Sequence, residues 1–107
     1  MILEIREVSR KTPRDGRLEV TSETARRLDT QRRPLPLVVG TARGEADLDT
    51  LECQCGTGAV EGHGTAHRHH FVRSPLLMQL TVGESVVLEL DAEGHLHVTR
   101  PHDLRPS

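Results

Sequence analysis

The chain predicts a mainly β protein, a small pseudo-symmetric β-barrel made from two strand-helix-strand units, with two short helices and a Cys/His hairpin. Three observations carry this. Apolar and polar residues alternate with period two in several short runs, and Gly, Pro and Asp turn signals separate those runs. A weak internal repeat then relates the two halves: an offset of 52 residues lays Val20, Ser22, Ala25 and Leu28 onto Val72, Ser74, Leu77 and Leu80. With one residue of gap, Leu35, Leu37 and Val39 fall on Val86, Leu88 and Leu90. Duplicated units of this kind bury their faces best by closing on each other.

The 107 residues make one domain, 1–100, followed by a loose tail, 101–107. In order, Met1–Val8 alternates Leu3 and Ile5 against Glu4 and Arg6 and reads as a strand. Ser9–Gly16 reads as a turn closed by Asp15-Gly16, and Arg17–Val20 as a short strand. Thr21 or Ser22 caps a helix over Glu23–Leu28 that faces Ala25 and Leu28 inward. Gln31–Pro34 breaks it. Leu35–Val39 is a strand with Pro36 at an edge or bulge, since proline cannot donate to a ladder.

Gly40–Gly44 turns the chain, and Glu45–Thr50 is a polar, ambiguous approach to a strand at Leu51–Cys55. After the following histidine strand, Ser74 and Pro75 have the form of a helix start, with Leu76–Leu80 as one apolar turn. Val82-Gly83-Glu84 turns into a strand at Ser85–Leu90, Asp91–Gly94 closes a hairpin, and His95–Thr99 returns.

The stretch Leu51–Val72 concentrates the chemistry. It holds both cysteines, Cys53 and Cys55, and four histidines, His63, His67, His69 and His70. In extended chain, Cys53 and Cys55 share one face, as do His67, His69 and Phe71, whereas His70 points away from His69. Gly56, Gly58, Gly62 and Gly64 between the two pairs suit a tight connection. Two thiolates facing two imidazoles are a soft tetrahedral set, so Cys53, Cys55, His67 and His69 are the expected zinc ligands, with His63 and His70 as substitutes. The spacing matches no common zinc-finger class; the competing reading is two small buried cysteines and a solvated polar loop. With one Phe and no Trp or Tyr, the core must be Leu, Val, Ile and Ala, and a metal staple would offset the missing aromatic bulk.

Charge is unevenly spread. Residues 1–33 carry nine basic side chains against six acidic, and the remainder five against ten, for a formal net charge of -2. Arg26, Arg27, Arg32 and Arg33 are the expected phosphate or nucleic-acid contacts, although acidic residues interleaved with the arginines also fit an ordinary solvated face. No run has the apolar length of a membrane span, and cysteines one residue apart are poorly placed for a mutual disulfide, so the expected location is cytoplasmic.

The segment Phe71–Pro101, FVRSPLLMQLTVGESVVLELDAEGHLHVTRP, resembles the swapped-hairpin AbrB type of element, with Gly83 as its main fixed point; Gly16–Val39 resembles it more weakly. The resemblance implies kinship with DNA-binding regulators, antitoxins and cradle-loop barrels, and the Cys/His stretch lies outside it. Three function classes follow. The first is a non-catalytic zinc-binding module that docks on nucleic acid or a protein partner, with a homodimer possible. The second is a metal-dependent hydrolase or nuclease in which His67, His69 and a carboxylate such as Glu52 or Glu61 leave a ligand position for water. A redox role ranks third, because a Cys-x-Cys pair lacks the helix N-terminus that activates Cys-x-x-Cys thiols. The first reading is preferred.

Overall fold

A computed structural model describes residues 1–31, 33–53 and 67–101. Seven strands form one sheet, nearly closed into a barrel: β1 (Ile2–Glu7), β2 (Arg17–Val20), β3 (Leu35–Val39), β4 (Ala42–Cys53), β5 (His67–Arg73), β6 (Ser85–Leu90) and β7 (Leu96–Thr99). Their order is β1-β6-β7-β3-β4-β5-β2, with β3 and β7 parallel and the other neighbours antiparallel. The expected barrel is thus the observed architecture, and the first strands of the two repeated units, β2 and β5, pair with each other.

The barrel's two edges, β1 and β2, are tied by a side chain. Glu4 Oε1 accepts from the Thr21 backbone N–H at 2.9 Å and from Thr21 Oγ1 at 3.0 Å. Thr21 is also the N-cap of helix α2 (Ser22–Asp29), where its hydroxyl accepts from the Thr24 N–H at 3.2 Å. One threonine therefore fixes both the seam and the start of the helix.

Alternation fills the interior. Leu18, Leu28, Leu35, Leu37, Leu77, Leu88, Leu96 and eight further residues, mostly valines, make one core of buried side chains. Phe71, the single aromatic, is buried outside that cluster, on the outer face of β5. Its ring lies under Lys11 Nζ, 5.3 Å from the ring centroid, and beside the His69 ring at 6.4 Å.

Several boundaries differ from the expectation. Ser9–Gly16 is not simply a turn, because Lys11–Asp15 forms a short helix, α1, with Gly16 as its left-handed C-cap at φ 70°. Only glycine fits there: a Cβ would sit 2.7 Å from the Ser74 carbonyl oxygen, while Ser74 N–H donates to the Gly16 carbonyl at 2.8 Å. Glu45–Thr50 is continuous strand within β4, because pairing along its whole length with β3 and then β5 overrides its polar composition. Gly40–Gly44 shrinks to a tight link, Val39 facing Ala42. Pro36 lies on an interior strand, not an edge. The β3–β7 ladder begins only at Leu37, so the missing donor breaks no ladder on that side.

Ser74 and Pro75 do open a turn, a 3-10 helix over Pro75–Gln79, with Ser74 Oγ accepting from the Leu76 N–H at 3.2 Å. In the β6–β7 turn the Asp91 carboxylate accepts from the Glu93 and His95 N–H groups, both at 2.9 Å. The Cys/His connection and the tail beyond Pro101 lie outside the described residues.

Candidate cleft between helix α2 and the β4–β5 arm

Helix α2 presents Ser22, Ala25, Arg26 and Asp29 on one side, the spacing that brings residues onto a common helical face. The opposing wall is the β4–β5 pair. Leu48 faces Val72 across that pair, and two residues farther out Thr50 faces His70, so the inward-facing row changes from apolar to polar as it leaves the core. Thr50 Oγ1 and His70 Nδ1 are 3.1 Å apart. Arg68 continues the row opposite Glu52. Between helix and sheet lies a cavity of about 600 Å³.

Charge pairing within this cleft is unequal. Asp29 is paired with Arg33. Asp49 accepts from Arg73 Nε at 2.8 Å and lies 3.5 Å from Arg17 Nε. Both carboxylates lining the cavity are therefore already neutralised by guanidinium groups. Arg26 and Arg68, by contrast, line it from opposite walls with no acidic partner among the described residues. The cleft holds a surplus of positive charge in a chain whose formal net charge is -2.

The outer face of the same arm carries the histidine chemistry. His69 Nδ1 lies 2.8 Å from Glu19 Oε2. A carboxylate accepts, so Nδ1 is the donor in this contact. Cys53 and His67 occupy the same register position in the β4–β5 ladder, and Leu51 and His69 the next pair inward. Cys55, and with it half of the expected thiolate pair, lies outside the described residues. Among the described residues no group of three or more His, Cys, Asp or Glu side chains is placed to hold a metal ion.

Compared with known protein families, with curated proteins and with solved structures, the chain matches none. The geometry must therefore speak for itself.

Of the four expected phosphate contacts, Arg26 and Arg33 line the cleft, Arg33 with its charge taken by Asp29. Arg27 turns elsewhere, toward Met1 Sδ at 3.6 Å, in an apolar groove of about 370 Å³ with Leu90. Arg26, one residue earlier on the helix, borders both this groove and the cleft, whereas Arg27 borders the groove alone. Arg32 lies outside the described residues. Arg68 and Glu19 are not among the expected site residues, and His70, expected only as a substitute zinc ligand, lines the cleft instead. The signal for Arg68 and His70 was the alternation within His67-Arg68-His69-His70, which puts them on the opposite face from His69; Glu19 required knowing that β2 pairs with β5. Of the carboxylates expected for a hydrolase, Glu61 lies outside the described residues. No described helix is long and apolar enough to cross a membrane.

Proposed function

We propose that this protein is a non-catalytic β-barrel module that docks on nucleic acid through the cleft between α2 and the β4–β5 arm. The observation that supports it is the pair of guanidinium groups, Arg26 and Arg68, which have no carboxylate partner among the described residues while the acidic groups beside them, Asp29 and Asp49, are neutralised. Arginine forks match phosphate oxygens in geometry as well as charge. Docking is to the backbone: Phe71 is 2% exposed and the chain has no Trp or Tyr, so no large aromatic side chain offers a platform for stacked bases. The AbrB-type resemblance of Phe71–Pro101, whose relatives include DNA-binding regulators, points the same way.

The zinc reading belongs to the same proposal. Cys53, Cys55, His67 and His69 would close the far end of the arm and stiffen the wall that carries Arg68. It is supported by the Cys53–His67 register and by the Glu19 carboxylate on His69 Nδ1, the arrangement in which a metal-bound histidine is usually held. Elemental analysis of wild type and a Cys53→Ser/Cys55→Ser variant checks it: one zinc per chain, lost in the variant, is expected, and metal-free wild type would contradict it.

The docking reading is tested by fluorescence anisotropy with labelled single-stranded and duplex oligonucleotides across a salt series. Wild type should bind with an affinity that falls as salt rises, and an Arg26→Ala/Arg68→Ala variant should bind more weakly with a salt slope shallower by about two. Arg43→Ala, which removes an exposed charge outside the cleft, should leave the slope nearly unchanged. Equal binding by wild type and the double variant would remove the cleft from the interface, and capture of an acidic protein with no oligonucleotide binding would replace the partner class.

A further inference from the structure

The cleft's charge balance carries a finer distinction, which rests on the docking reading above. With Asp29 taken by Arg33 and Asp49 by Arg73, the described lining residues leave two positive charges for a ligand, Arg26 on α2 and Arg68 on β5. An internal phosphodiester carries a single negative charge. A terminal phosphomonoester carries about -1.5 to -2 at neutral pH and offers three acceptor oxygens. The surplus in the cleft matches the second.

Shape and lining agree with that match. The cavity, about 600 Å³, has the size of a small-ligand pocket and is walled by helix on one side and sheet on the other. A strand end or a mononucleotide can enter such a space, whereas the continuous backbone of a duplex meets only its rim. Ser22 and Thr50 bring hydroxyl groups, and His70 brings an imidazole whose Nδ1 is engaged by Thr50, so the polar lining suits phosphate and sugar rather than a base.

We infer that the cleft is a phosphomonoester site, clamping a terminal phosphate between Arg26 and Arg68. The test compares a short single strand bearing a 5′-phosphate with the same strand bearing a 5′-hydroxyl, with nucleoside monophosphate and inorganic phosphate as competitors. The phosphorylated strand should bind wild type about tenfold more tightly, the effect of one charge-assisted contact. Arg26→Ala and Arg68→Ala should each abolish the preference, and Arg43→Ala should retain it. All three positions are exposed, so the variants should keep the fold. Competition by the free monophosphate as effectively as by the strand end would assign the site to nucleotides; competition by the strand end alone would assign it to polymer termini. Either supports the clamp. Equal affinity of wild type for the two strands would overturn the clamp and leave the docking reading standing. If neither strand binds, docking fails, and backbone-amide NMR with inorganic phosphate decides the clamp: shifts at Arg26 and Arg68 uphold it, and their absence overturns it.

Discussion

The β6–β7 hairpin and the β4–β5 arm are both antiparallel pairs in one sheet, yet they treat charge in opposite ways. At the hairpin the Asp91 carboxylate is fully used by the fold: it accepts two backbone N–H groups and lies 2.8 Å from His97 Nε2. At the hairpin's open end Arg100 is paired with Glu84. Along the arm Arg73 is paired with Asp47 and Asp49, but Arg68, and Arg26 opposite it on α2, face a cavity without acidic partners among the described residues. A charge satisfied inside the chain holds the fold; one left over in a concave space is available to a ligand. Substitutions at the two places should therefore separate stability from binding.

The largest stability effect is expected where the hairpin meets the core. Leu88, on β6, is 0% exposed, and Leu88→Ala should cost about 2–5 kcal/mol, read by urea unfolding. A loss below about 1 kcal/mol would mean that the barrel core is not packed as described. Next comes Gly16→Ala, which places a side chain in left-handed backbone against the Ser74 carbonyl. It should cost about 1–3 kcal/mol in the same measurement, and a neutral result would contradict the α1 cap.

Arg26→Ala/Arg68→Ala should shift stability by no more than about 0.5 kcal/mol while weakening oligonucleotide binding, the reverse of the Leu88 result. The smallest effect is expected at Asp91, whose carboxyl is lowered to about 2, first by the His95 backbone N–H and then by the His97 ring. The folded chain binds this proton less tightly than the unfolded chain does. Its stabilising contribution is thus complete above the ordinary carboxylate value of about 4 and is lost as pH falls toward 2. Melting temperature measured across that window should fall less steeply in Asp91→Asn than in wild type; parallel curves would contradict the role given to Asp91.

Much of the barrel was legible where an inward row is a period-two pattern, as in Leu35, Leu37 and Val39, although β1 leaves Ile5 65% exposed and β6 buries Val86, Val87 and Leu88 in succession. What composition misread was settled by tertiary pairing. The polar run Glu45–Thr50 is a strand because β3 and β5 flank it, and Lys11–Asp15 is helical where its Pro13 and Asp15-Gly16 suggested only a turn. The cleft was half legible: basic residues in α2 drew attention to Arg26, but Arg68 lies 42 positions away in sequence and joins it only through the sheet. Nothing local to Arg27 distinguishes it from Arg26 except the helical rotation that turns it toward Met1.

The most direct test of the cleft's role is NMR mapping of the bound surface: backbone amide shifts recorded as a 5′-phosphorylated single strand is added to the intact protein. The account predicts that the shifts gather on Ser22–Asp29 and on Arg68–His70 and spare the β6–β7 hairpin. Shifts centred on the hairpin or on β1, with α2 unmoved, would contradict it.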